Sequence, residues 1–208
     1  DLIYKMLTES GLRAFIGGNI GASLLPAVGE MTENDIAVVE LSSFQLHTMN
    51  QSPDIAVVTN ISPNHLNYHH SMEEYIDAKR NIYRYMNGGR LVLNERNEIS
   101  RGMKYDAPDG TEVIYFAGDS GVYMRDGKII VSASSGGNGG RSDDAVLDAG
   151  DILLPGRHNK ENYMAAIAAV YGIASNDSIR SVAKISAELN TDASLSESAA
   201  ESASITVP

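Results

Sequence analysis

Cysteine is absent from the 208 residues, which removes disulfides, zinc thiolates and a cysteine nucleophile from consideration. A chain of this kind is compatible with a reducing cytoplasm. Basic residues are scarce: 16 Lys+Arg stand against 27 Asp+Glu, for a net charge of −11. That balance excludes the basic footprint that non-specific nucleic-acid binding needs. It leaves a phosphate ligand open, because backbone N–H groups and a bound cation can hold phosphate. No apolar run approaches the ~20 residues of a membrane span, and no signal-peptide pattern opens the chain. The expectation is a soluble cytoplasmic protein with no membrane insertion.

What is present suits a packed domain. Apolar residues make up 43% of the chain, enough to bury a real core in one domain or slightly more. LIYKMLTES reads as a helix with Leu2, Ile3, Met6 and Leu7 on one face and Gly11 as its stop. RAFIGGNIG reads as a short strand ending in a glycine-rich turn, and SLLPAV as the start of a helix. IAVVELSS (36–43) and DIAVVTNIS (54–62) are β-branched runs ending in polar residues, as strands buried on both faces of a parallel sheet do. A helix is predicted over 71–86, with Met72, Tyr75, Ile76, Ile82 and Tyr83 on its apolar stripe. RLVLN is another strand, VYMRDGKIIVS a hairpin turning at Asp126-Gly127, and NYMAAIAAVYG an alanine-rich helix. This alternation implies an α/β fold: a doubly wound, mostly parallel sheet flanked by helices, with a small β-hairpin element. Ligands then collect at the carboxyl ends of the strands. SASSGGNGGRSDD (132–144) reads as a flexible loop and the Ser/Ala-rich tail beyond Lys184 as disordered.

Three polar groups lie at expected strand ends. GGNIG (17–21) fails as a dinucleotide fingerprint, since Asn19 occupies the second glycine position. It is either a plain strand-to-helix turn or a turn that presents the Asn19 amide to a ligand. Glu40 ends a strand in VVELSSFQL. It is placed either to hold Mg²⁺, which takes one or two carboxylates with phosphate and water, or to form a salt bridge while Ser42 and Ser43 cap the next helix. NISPNHLNYHHSMEEYIDAK (60–79) holds three histidines. His65 follows the strand ending near Asn60 and would approach Glu40 if the two strands are neighbours. His69 and His70 read as solvated loop residues before a helix capped by Ser71, with Glu74 completing a capping box. Lys79 is either a surface charge or, if buried, an amine neutral enough for unusual chemistry.

In this order and spacing, ELSSFQL, NISPNHL, the YxxAK helix and LPGRHNxEN resemble the central domain of the Mur ligases, across about residues 2–185. ELSSFQL is closest to the members that add D-glutamate to a UDP-linked muramoyl substrate in peptidoglycan precursor synthesis. The resemblance implies an ATP-dependent ligase in which a carboxylate takes the γ-phosphoryl group and an amine then displaces phosphate. Mg²⁺ and positioning carry such a reaction. It further implies that Glu40 and His65 are Mg²⁺ ligands and that Lys79 is carbamylated by CO₂ to become an anionic ligand. It places Asn19 and Ser42 against the muramoyl substrate, and Asn159 and Asn162 near the adenine of ATP.

The departures from the family are equally specific. Its P-loop, GTNGKT/S, belongs just before the first helix, and no lysine-bearing P-loop occurs in these residues. The UDP-binding and carboxy-terminal domains are missing from the pattern as well, and Asn67 stands where the family often has aspartate. Residues 1–185 are therefore expected to be the central domain without its P-loop, and 186–208 a tail foreign to the family. Such a chain is expected not to turn over alone and to expose apolar surface that favours self-association. Glu188-Leu189-Asn190-Thr191-Asp192 can be encoded by GAG CTG AAC ACC GAT. Read two bases on, this gives Ala-Glu-His-Arg, the kind of stretch that opens the family's next domain, so the tail is expected to be a frameshifted reading. Two other classes remain: a non-catalytic nucleotide/Mg-binding or partner-binding module, which Mg·ATP calorimetry separates from a catalytic one, and a dinucleotide oxidoreductase, which the broken glycine pattern disfavours.

Overall fold

The computed structural model describes residues 1–19, 23–62, 69–134, 141–154, 156–185 and 203–206. The β-branched runs become strands: β1 (Ala14–Gly18), β2 (Ile36–Glu40), β3 (Ile55–Val58), β4 (Arg90–Asn94) and β5 (Glu112–Phe116), followed by β6 (Val122–Arg125), β7 (Lys128–Ser134), β8 (Arg141–Asp148) and β9 (Ala203–Thr206). They form one nine-stranded sheet in the order β1-β2-β9-β3-β4-β5-β6-β7-β8. β1 with β2, β3 with β4 and β4 with β5 pair in parallel, and β9 is antiparallel to both β2 and β3, so β1 to β5 present their carboxyl ends along one rim. β5 and β6 meet only at Phe116↔Val122. Beyond that point the sheet continues as an antiparallel meander. The hairpin between β6 and β7 turns at Asp126 and Gly127, both at positive φ (50° and 75°), as a two-residue turn matched to strand twist requires.

Helices cover both faces. On one lie α1 (Leu2–Glu9), α5 (Arg157–Val170) and α6 (Asn176–Ile185), whose Ile3, Met6, Leu7, Ile167 and Ile179 pack with Val38, Val57 and Val92 from the sheet. On the other lie α2 (Ser43–His47), α3 (Met72–Arg84) and α4 (Glu98–Gly102). There Leu46, Tyr75 and Ile82 meet Ala56, Val58, Leu91 and Leu93, the alternate residues of the same strands. This is the doubly wound α/β architecture that the alternating pattern predicts, with helices on both faces of a mostly parallel sheet.

Three expectations are corrected. SLLPAV does not open an α-helix. Leu25–Glu30 is a 3₁₀ turn that buries none of its residues, and so has no apolar stripe to dock a longer helix. The Gly/Ser-rich stretch 132–144 is strand at both ends, because Ser132 and Asp144 extend the β7–β8 ladder; residues 135–140 lie outside the described residues. Of the tail, 186–202 and 207–208 also lie outside them, while 203–206 forms β9 between β2 and β3. Two facing strand edges in the middle of a sheet provide bonding groups for any extended segment that reaches them, whatever its composition.

Candidate functional site

The glycines of GGNIG bring the first two strand ends together. Gly18 has φ of 120°, and a Cβ there would lie 2.1 Å from the Glu40 carbonyl oxygen, so only glycine allows the contact. The next N–H, that of Asn19, donates to that same carbonyl at 2.8 Å. Asn19 is exposed and Glu40 half-buried, so both side chains can reach a ligand at the rim. Asp1 stands at the N-cap of α1 without a side-chain capping bond, its backbone nitrogen within electrostatic reach of Glu40 and Lys5, and burial pushes the Lys5 ammonium below the usual lysine range. The start of α1 therefore borders the same rim.

Ser42, two residues beyond Glu40, caps α2. Its hydroxyl accepts the Gln45 N–H at 3.3 Å and donates to the Gln45 Oε1 at 3.0 Å, while the Ser42 N–H donates to that oxygen at 2.8 Å. This closed capping box leaves one acceptor lone pair on Ser42 Oγ. Ser43 does not cap. It is the first residue of α2, is buried, and its Oγ lies 2.9 Å from His69 Nε2.

That bond corrects the expectation of a solvated His69. The ring is only 4% exposed, stacks on Phe44 at 5.3 Å between centroids, and sits 5.4 Å from the Tyr75 ring. A buried imidazole with a hydroxyl partner is stable where a solvated one would serve no packing role. His70 is exposed, as expected. Ser71 caps α3 by accepting the Glu74 N–H, but Glu74 Oε2 accepts from the His70 N–H rather than from Ser71 itself.

Lys79 is fully buried in α3, its Nζ 5.8 Å from the Tyr75 ring centroid. Asn81, six-per-cent exposed, fastens α3 to α2 by donating to the Leu46 carbonyl at 2.8 Å. Ser43, His69, Tyr75 and Lys79 thus form a connected buried series running from the turn after Glu40 into α3. His65 lies outside the described residues. The condition that would bring it beside Glu40, direct pairing of β2 with β3, is not met: β9 separates them, a gap of two strand spacings or roughly 9.5 Å.

Asn159 and Asn162 sit in the first two turns of α5, on the opposite face, both half-buried. Glu161 between them is buried and pairs with Arg157 at 3.1 Å and Arg96 at 3.8 Å. The Arg96 N–H donates to Asn94 Oδ1 at the end of β4, and Asn94 Nδ2 donates to Asn60 Oδ1 beyond β3. These contacts set the start of α5 at the carboxyl ends of β3 and β4. The structure therefore joins Asn19, Glu40 and Ser42 closely, supports Lys79 from the same side, and brings Asn159 and Asn162 to the far end of the rim. Sequence reasoning read Ser43 as a cap and His69 as a loop residue, and passed over Asn94 and Glu161. Asn94 carried a readable signal, since it ends an apolar strand just as Glu40 does. Among the described residues no three His, Asp or Glu side chains cluster as a metal cage, and no helix is long and apolar enough to cross a membrane.

Comparison with known proteins gives the context. Residues 1–170 match the Mur ligase middle domain family. The chain is 46% identical over 187 residues to UDP-N-acetylmuramoylalanine--D-glutamate ligase of Acetivibrio thermocellus and 39% identical over 188 residues to that of Clostridium perfringens. In each case 88% of this chain and 38% of the relative are covered, so the chain spans well under half the length of these relatives. Among solved structures it is similar to a UDP-N-acetylmuramoyl-L-alanyl-D-glutamate--2,6-diaminopimelate ligase, with a TM-score of 0.64 at 20% identity, covering 88% of this chain and 43% of that one. That likeness establishes the fold. A nine-stranded sheet with its polar rim at the strand ends, matched over most of its length by one family, makes this chain a member of the Mur ligase middle domain family.

Proposed function

We propose that this domain forms part of the phosphoryl-transfer site of a cytoplasmic ligase that joins D-glutamate to UDP-N-acetylmuramoyl-L-alanine at the expense of ATP. The observation that carries the reading is the Asn19 N–H bond to the Glu40 carbonyl, which joins two strand ends beside the turn leading to the buried series ending at Lys79. The 46% identity to a D-glutamate ligase supports the choice of amino acid.

The reaction has two steps. The substrate carboxylate attacks the γ-phosphorus of ATP, forming an acyl phosphate and releasing ADP. The amine of D-glutamate then attacks the acyl carbon, phosphate leaves, and the amine gives up a proton. The Glu40 carboxylate supplies hard oxygen atoms of the kind Mg²⁺ takes, and His65, on the family resemblance, would add a nitrogen ligand. Bound there, Mg²⁺ would neutralise charge gathering on the phosphoryl oxygens. Lys79 fits a role that a solvated lysine cannot fill. Burial disfavours the ammonium, and the neutral amine adds to CO₂ through its lone pair, loses a proton and becomes a carbamate anion able to face a cation. Asn19 and the open lone pair of Ser42 hold the muramoyl substrate, while Asn159 and Asn162 flank the adenine. Exposed Leu25, Val28 and Phe44 give apolar surface for self-association or domain contact.

The test is phosphate release by the protein that carries this domain, supplied with ATP, Mg²⁺, UDP-N-acetylmuramoyl-L-alanine and D-glutamate. Release that requires all four supports the reading. Release that is unchanged when D-glutamate is replaced by another amino acid, or no release at all, overturns it.

A further inference from the structure

The last turn of α3 borders a cavity of about 300 Å³ lined by Arg80, Tyr83, Arg84 and Asp106. Tyr83 and Arg84 end α3 shortly before β4 begins, and Asp106 ends a 3₁₀ turn (Met103–Asp106) shortly before β5. The cavity therefore lies near the amino ends of these parallel strands, away from the rim that carries Glu40. Its volume is at the small end of the roughly 300–1,000 Å³ of ligand sites, which suits a small molecule. Two donors share it with nothing to accept their protons. Tyr83 is 1% exposed, and neither its hydroxyl nor the buried Arg80 Nε has a hydrogen-bond partner among the described residues. Arg80 is held in place, its Nη2 2.8 Å from Asp106 Oδ2, and Asp106 is near enough to the Tyr83 phenol to act on its charge. Arg84 is engaged elsewhere, with Asp77 and, at 2.7 Å, with Asn81 Oδ1.

We propose that this cavity binds a small monocarboxylate, whose two oxygens accept the Tyr83 O–H and the Arg80 Nε–H. The inference stands on the cavity alone and is independent of the ligase reading. Buried donors without acceptors weaken a fold, and an acceptor brought by a ligand removes that cost. Water can accept either proton, but an ionised acceptor makes a bond roughly twice as strong as a neutral one. The guanidinium also offers its donors in a fixed plane that matches a carboxylate. Burial holds the Tyr83 phenol protonated well beyond neutral pH, so it remains a donor. Charge selects among oxyanions. Arg80 and Arg84 face Asp106 and Asp77, which leaves the surroundings near neutral, suited to one negative charge and unfavourable to a doubly charged phosphate. Occupancy ties α3 to the turn before β5 through bonds that the described residues do not supply by themselves.

The test is a titration of the intact chain with sodium acetate at constant ionic strength, followed through the Arg80 Nε–H signal in ¹⁵N–¹H spectra. Acetamide and inorganic phosphate run as parallel arms. The expected result is a saturable shift with acetate and none with the other two. Tyr83→Phe removes the hydroxyl at nearly constant volume and should weaken acetate roughly tenfold or more, as the loss of one bond to a charged group does. A shift that never saturates, or that acetamide reproduces, means that water alone fills the cavity and overturns the proposal. Phosphate that saturates the signal as tightly as acetate overturns it as well. Should Tyr83→Phe fail to fold, Arg80→Lys takes its place. It keeps a cation facing Asp106 but loses the Nε–H, and binding is then read on the Tyr83 ring signals. Acetate that binds the folded variant as it binds the wild type contradicts the site.

Discussion

The two faces of this sheet bury different things. Against the α1/α5/α6 face, α5 places an unbroken buried run from Tyr163 to Val170 in which four of eight residues are alanine. Small side chains let the helix lie close to the sheet, and its contribution is packing. Among the described residues that face buries polar side chains only at Glu161 and Ser178 of its helices, whereas the α2/α3/α4 face, which also has an apolar core, buries Ser43, His69, Lys79, Asn81 and Ser100. Several of these have specific partners: His69 on Ser43, Asn81 on the Leu46 carbonyl, and Ser100 on the Val58 carbonyl at 3.2 Å. Burying polar groups weakens a core unless each is bonded. The proposed chemistry rests on this face, where such bonded polar groups lie in the core beyond the strand end bearing Glu40.

This contrast is open to direct attack. Ile167→Ala empties part of the apolar face and is expected to cost about 2–5 kcal/mol, the range for buried large-to-small changes, read as a shift in the urea midpoint. A loss of under 1 kcal/mol would mean that the alanine-rich face is loosely packed. Ser43→Ala leaves His69 Nε2 buried without its partner and is expected to cost about 1–3 kcal/mol. Adding His69→Phe to it should recover part of that loss, because an apolar ring then stands where an unbonded polar one stood. No recovery in the double variant would show that the bond is incidental. Tyr83 gives the smallest effect, silent at neutral pH. Burial first, then the Asp106 carboxylate, against the opposing charges of Arg80 and Arg84, pushes its phenol up to about 12 from 10. Between pH 10 and 12 the folded state keeps a proton that the unfolded state has lost, so stability falls as pH rises through that window. Tyr83→Phe should flatten the decline in that interval and leave lower pH unchanged.

The sequence is legible where local pattern and tertiary need agree. The runs IAVVE, IAVV and RLVLN became parallel strands because apolar β-branched residues suit a sheet covered on both faces. Asp126-Gly127 announced its hairpin because few other residues tolerate two successive positive φ angles. Glu40 and Asn19 were visible as polar residues ending such runs. What escaped depends on distant partners. His69 looks like a loop residue in NYHHS, since the groups that bury it, Ser43 and Phe44, come more than twenty positions earlier. β9 escaped because Ala-Ser-Ile-Thr has little strand character; its place is set by edges of β2 and β3 some 150 residues away. The ends of the glycine-rich 132–144 stretch escaped likewise, since their strand state comes from pairing with each other.

The central claim is that the polar face is built around a reactive Lys79 and not merely tolerant of a buried lysine. Lys79→Met, made in the protein that carries this domain, tests it most directly when ligase turnover and thermal stability are measured side by side. Methionine fills nearly the same volume, so stability should stay within about 1.5 kcal/mol of wild type, the range of volume-conserving changes. Turnover should fall roughly 10²–10³-fold, as when one preorganised electrostatic group is removed from a phosphoryl- or acyl-transfer site. A variant that folds normally and turns over at the wild-type rate would contradict the account.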